Sequence, residues 1–123
     1  MDKVVHFEVP FDDADRAQTF YHEAFGWQLQ SMPDMSYTLV TTTPTGDSGP
    51  TEPGGINGGM LSRQGPIKSP VITIGVEDLD DSLARIEKLG GSVTIGRQTV
   101  GDMGFSAYVT DTEGNLIGLW QNA

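Results

Sequence analysis

From Val4 to Val9 the chain alternates, with Val5, Phe7 and Val9 on one side and Val4, His6 and Glu8 on the other. This predicts a strand with one apolar and one mixed face. The period then changes: Asp12 and Asp13 offer N-caps for a helix running to about Phe25, with Ala17, Phe20, Tyr21, Ala24 and Phe25 as its apolar stripe and Gly26 as its stop. Trp27, directly after that stop, is expected to staple the helix end to the sheet. Gln28 to Ser31, Tyr37 to Thr43 and Gly55 to Ser62 are predicted strands, the middle one rich in β-branched residues.

The second half repeats this order. Val71 to Val76 reads as a strand, Asp78 caps a helix from Leu79 to Leu89, and Gly90-Gly91 ends it. Strands are predicted at Ser92 to Gly96, Phe105 to Thr110 and Leu116 to Gln121, the last two joined by a turn at Asp111-Thr112-Glu113-Gly114. The fold class expected is therefore α+β: two βαβββ modules, about residues 1–64 and 69–123, within a single domain spanning 1–123. The repeat is one of pattern, because identity between the halves is low. Between Thr43 and Gly59 the Gly/Pro-rich stretch PTGDSGPTEPGGING is too long for a simple hairpin turn and is expected to hold no regular structure. It is a candidate lid or a plain connection.

Composition narrows the function classes. The chain has 17 acidic against 7 basic residues, a formal net charge of −10, which argues against nucleic acid or an anionic membrane surface as partner and favours cationic small molecules. Cysteine is absent, so disulfides, thiolate metal sites and a cysteine nucleophile are excluded. No signal-like apolar core opens the chain, and no apolar run approaches the ~20 residues that span a bilayer. A soluble, unprocessed, cytoplasmic protein is expected. P-loop, Rossmann, nucleophile-elbow and zincin motifs are all missing. GGINGG is not followed by a helix, so its glycines suit a bulged or closely approached strand. The acids Glu77, Asp78, Asp80 and Asp81 sit at a helix N-terminus, where the dipole favours them.

Three segments resemble one family. VVHFEVPFDDADRAQTFYHEAFGWQL is similar to the first strand and the R-x-x-x-FY-x-x-x-x-G helix of the vicinal oxygen chelate superfamily, and ITIGVEDLDDSLARIEKLGGSV to its second-module equivalent. YVTDTEGNLIGLW resembles that family's closing D-P-D-G-x-x-x-E-L strand pair. The superfamily includes glyoxalase I, extradiol dioxygenases, fosfomycin-resistance proteins and bleomycin-binding proteins. The resemblance implies curved sheets that pair into a cup, with the helices outside. His6 and Glu8, then Val71, Thr73 and Gly75, would face the cup, while Val5, Phe7, Val9, Ile72, Ile74 and Val76 would lie beneath the helices.

Metal-dependent members use four cup-facing positions, usually His and Glu. His6 matches the first, and Asn57 is the sole polar side chain near the second. Val71 and Gly118 fall on the third and fourth. One imidazole and an amide are too few for a catalytic divalent centre. No cofactor is therefore expected; a divalent metal at His6 would need Glu8 and a further donor from a loop or partner chain. Gly118 and its same-face neighbour Trp120 suggest room beside an aromatic wall with an indole donor. The pattern assigns no face to Tyr37, Phe105 or Tyr108. His22, beside Tyr21 and Glu23, reads as a surface residue.

The resemblance thus implies a glyoxalase/bleomycin-resistance/dioxygenase-like protein whose metal-free cup, walled by His6, Glu8, Asn57, Thr73 and Trp120, binds a small cationic or aromatic molecule. A second reading keeps an enzyme: a lyase, isomerase or dioxygenase with an unusual metal set, or a His6/Glu8 acid–base catalyst. A third is a non-catalytic regulatory module. A homodimer is implied by the same resemblance, with modules paired within or between chains.

Overall fold

Each helix starts on an aspartate whose side chain replaces a missing backbone acceptor. The computed structural model describes residues 1–123. Helix α1 (Ala14–Phe25) is capped by Asp13, which accepts from the Arg16 N–H at 3.0 Å. Helix α2 (Leu79–Lys88) is capped by Asp78, which accepts from the Asp81 N–H at 2.9 Å. Gly26 stops α1 in the left-handed region at φ 74°, returning its N–H to His22 O at 2.8 Å. Beyond α2, Gly91 donates to Ile86 O at 3.0 Å.

Around these helices run β1 (Lys3–Phe11), β2 (Gln28–Met32), a single 3-10 turn (Pro33–Met35), β3 (Tyr37–Thr41), β4 (Thr45–Gly46), β5 (Gly49–Pro50) and β6 (Gly58–Ser62). The second half contributes β7 (Val71–Gly75), β8 (Ser92–Val100), β9 (Gly104–Thr110) and β10 (Leu116–Asn122). The fold is α+β, with the βαβββ order present in both halves. Neither helix is long and apolar enough to cross a membrane.

Packing divides the chain into two units, residues 6–70 and residues 1–5 with 71–123. In the first unit the strands run in the order β2-β3-β6-β1, with β6 and β1 parallel and the other pairs antiparallel. The second unit has the order β7-β10-β9-β8, with β7 and β10 parallel and the other pairs antiparallel. In both, the strand preceding the helix pairs in parallel with the last strand of its module. The repeat seen in the sequence pattern is therefore a repeat of topology.

The second unit has a conventional core. Leu79, Ala107, Val109 and Leu119 are buried, with Ile74, Val76, Leu83, Ile86, Phe105 and Ile117 packed around them. Gln121, on the same face of β10 as Leu119, accepts the Leu79 N–H at 2.7 Å, so the sheet supplies a second cap to α2. Ile74 and Val76 lie beneath the helix as expected, but Ile72 does not: it is 47% exposed. Strand β8 runs past its expected end at Gly96 to Val100, because register shifts after Val93 and Ile95 absorb the extra residues.

The first unit departs further from the pattern. No α1 residue is buried, and Phe20 and Phe25 of the expected apolar stripe are 58% and 62% exposed. Trp27 takes the inner place instead, stacked on Tyr21 with ring centroids 4.8 Å apart and packed against Phe7 at 5.5 Å. Phe20 and Phe25 then meet each other edge-on on the outer side of α1. Strand β6 begins at Gly58, three residues later than expected. The preceding Gly/Pro-rich stretch, expected to hold no regular structure, contains the two-residue hairpin β4/β5, registered Thr45 with Pro50 and Gly46 with Gly49.

Replacing Asp78 by Ala is expected to lower unfolding free energy by about 1 kcal/mol, the usual cost of losing an N-cap. Urea titration checks this. Asp78→Asn, which keeps an acceptor, is expected to retain most of the stability.

Candidate functional site

Consecutive glycines in a strand point to opposite faces, and Gly58 and Gly59 of β6 each make room for one aromatic ring. A Cβ on Gly58 would come within 2.7 Å of the Phe7 ring, on the face that carries Trp27. A Cβ on Gly59 would stand 1.9 Å from the Tyr37 hydroxyl oxygen. Strand register explains the second contact, since Leu39, Gly59 and Glu8 are aligned across β3, β6 and β1. Tyr37 lies two residues before Leu39 on the same face, so its phenol crosses the bare backbone of Gly59 to reach β1.

There the phenol joins two side chains. Tyr37 donates to Glu8 Oε2 at 2.7 Å, and His6 Nε2 lies 2.8 Å from the same hydroxyl. The imidazole and phenol planes are nearly parallel, 18° apart. Glu8 is only 6% exposed, and His6 and Tyr37 are half-buried. A carboxylate accepts only, so the phenol's single proton goes to Glu8 and the hydroxyl oxygen receives from His6. Burial lowers the His6 pKa from its ordinary 6.5, with the nearby Glu8 charge pulling weakly the other way. The imidazole is therefore neutral at pH 7, with its proton on Nε2.

The other expected site residues have local partners. Asn57 Oδ1 accepts the Thr42 N–H at 2.9 Å and its Nδ2 donates to Thr45 Oγ1 at 2.7 Å, so this amide closes the base of the 43–57 stretch. In the second unit, Thr73 is buried and registers with Gly118. A Cβ at Gly118 would come within 2.6 Å of Thr73 Oγ1, so the space that glycine leaves is taken by threonine. Trp120 lies against Gly104 and donates its indole N–H to Asn122 Oδ1 at 2.8 Å. His22, on the surface of α1, bonds through Nδ1 to Trp27 O at 2.8 Å.

Tyr37 is the residue that sequence reasoning missed. The available signal was the Gly58-Gly59 pair, since adjacent glycines within a strand announce a close approach on each face. Two shallow clefts, of about 470 and 340 Å³, lie elsewhere. The larger is lined by Gln18, Thr19, His22, Gln28 and Leu29, and the other by α2 side chains.

The positions that hold metal in the resembling family do not assemble a donor set here. His6 offers at most its Nδ1, both Asn57 amide atoms are bonded within the loop, and Val71 and Gly118 carry no donor atom. No group of three or more His, Asp or Glu side chains is arranged to hold a metal ion. These residues do not fit a divalent centre, which ordinarily takes three or more protein ligands.

Residues 3–43 match the family described as bleomycin resistance protein-like N-terminal. The chain is 29% identical over 115 residues to CFP32, a protein named for glyoxylase activity, from Mycobacterium bovis and Mycobacterium tuberculosis. That alignment covers 89% of this chain but 41% of the relatives, so the chain spans about two fifths of their length. A solved glyoxalase/bleomycin resistance protein/dioxygenase superfamily member from Vibrio splendidus is similar over the full length of both chains, at TM-score 0.65 and 16% identity. Methylmalonyl-CoA epimerase from Mycobacterium tuberculosis matches at TM-score 0.63 and 19% identity, over 97% of this chain and 87% of its own. Similarity at these identities is similarity of fold.

Gly59→Ala is expected to cost about 1–3 kcal/mol of stability, because its methyl group must displace the Tyr37 phenol. In a Tyr37→Ala background the same substitution is expected to cost clearly less. Equal costs in the two backgrounds, measured by denaturant unfolding, would show that the phenol does not lie over Gly59.

Proposed function

We propose that the chain is a member of the glyoxalase/bleomycin resistance/dioxygenase superfamily, supported by the partial family match, the curated relatives and the shared fold, and that it binds a small molecule at the His6–Tyr37–Glu8 face of residues 6–70, without a resident metal. The observation that carries this reading is the hydrogen-bonded chain itself. It holds a histidine and a glutamate half or fully out of water on a sheet face, where ordinary packing calls for neither. The net charge of −10 makes cationic ligands with an aromatic body the first class to test. Asn57 is retained as the residue that shapes the neighbouring loop, while Thr73 and Trp120 have their partners within the other unit. A homodimer in the cytoplasm remains part of the proposal, on the strength of the resemblance.

A second reading is favoured by one feature of the same geometry. A neutral imidazole bonded through a phenol to a carboxylate is an arrangement suited to general acid–base catalysis. In that case a bound carbon acid would exchange its acidic hydrogen with deuterated solvent, and His6→Gln would abolish the exchange.

A thermal-shift screen of cationic and neutral aromatics, followed by calorimetric titration, tests the binding reading. A saturable ligand is expected whose affinity falls tenfold or more in Tyr37→Phe and His6→Gln. If no compound raises the melting temperature, or if both first-unit variants bind as the parent does, the site is not there.

A further inference from the structure

The hydrogen-bonded chain has a direction, and that direction constrains what can dock on it. Glu8 accepts, Tyr37 donates to Glu8 and accepts from His6, and His6 Nε2 donates. A neutral imidazole with its proton on Nε2 leaves Nδ1 as an acceptor. That nitrogen makes no hydrogen bond within the protein, and it is not among the buried unsatisfied atoms, of which the chain has none. It is therefore not fully buried, on a ring that is half-buried. Gly59 keeps the phenol in place, so the ring cannot exchange its donor and acceptor ends without breaking the bond to Tyr37.

Resting on the binding reading above, we propose that the Glu8–Tyr37–His6 chain makes His6 Nδ1 a fixed acceptor, so that the ligand class is a cation carrying an N–H donor. A primary or secondary ammonium satisfies both conditions: it supplies the proton that Nδ1 lacks, and its charge is drawn by the carboxylate at the far end of the chain. A charge-assisted bond of this kind is about twice as strong as a neutral one. A quaternary ammonium has the charge but not the proton, and a carbonyl or ether ligand presents one acceptor to another. The polarity of the chain thus separates ligands that net charge alone would treat alike.

Two compounds of the same aromatic body and the same charge make the test: benzylammonium and benzyltrimethylammonium, titrated into the full chain at pH 7 by calorimetry and by ¹⁵N NMR of the histidine rings. Benzylammonium is expected to bind at least tenfold more tightly and to shift the His6 Nδ1 resonance, leaving that of His22 unmoved. Because His6→Gln could disturb folding, Tyr37→Phe serves as the second variant: it frees the ring to reverse its donor and acceptor ends, so the preference between the two compounds is expected to shrink. Equal binding of the two compounds, or preference for the quaternary one, would overturn the donor requirement while leaving the small-molecule reading intact. Failure of both compounds would also overturn it, and failure of the whole screen would remove the binding reading as well.

Discussion

The first unit is organised by the passage of one phenol over a backbone that has no side chain. Tyr37 can reach Glu8 and His6 only because β6 separates β3 from β1 and because residue 59 is glycine. Without that crossing, Glu8 would lose a donor at 6% exposure. The cost of leaving a buried charged group without such a bond is larger than the ~1 kcal/mol that an ordinary hydrogen bond contributes net. The neighbouring Gly58 does the same for Phe7 on the helix face, which seats Trp27 and, through it, the end of α1. Two glycines thus set both faces of the unit.

The same arrangement couples His6 to pH. Burial disfavours the imidazolium, so the folded chain holds its His6 proton less tightly than the unfolded chain, whose histidine titrates at its ordinary 6.5. Above that value both states are neutral at this residue and it contributes no pH dependence. Below it the unfolded state takes up the proton first, so stability drains away as pH falls toward the folded-state pKa. Protonation would also place a donor on Nδ1 and end its role as acceptor. Stability is expected to weaken first as pH falls below 6.5, and the proposed binding only as pH falls through the lower folded-state value.

Much of the fold was legible in the chain because the signals are local. Asp13 and Asp78 cap helices, Gly26 carries the left-handed stop, and alternation from Val4 to Val9 separates Phe7 from His6 and Glu8. What escaped was set by contacts distant in sequence. The apolar stripe of α1 pointed Phe20 and Phe25 inward, yet Trp27 from beyond the helix occupies that place. Tyr37 could not be placed because its partners lie 29 and 31 residues away on a strand that is not its neighbour. The room expected at Gly118 is occupied by the side chain of Thr73 on the adjacent strand. Alternation gives a residue its face; it does not say how far a side chain travels across that face.

Direct observation of the His6 ring tests the hydrogen-bonded chain most closely. A two-bond ¹H–¹⁵N correlation spectrum recorded across a pH titration reports both the tautomer and the protonation midpoint of each histidine. His6 is expected to be neutral at pH 7 with its proton on Nε2, and to titrate below the ordinary 6.5. A ring charged at pH 7, or a neutral ring carrying its proton on Nδ1, would contradict it.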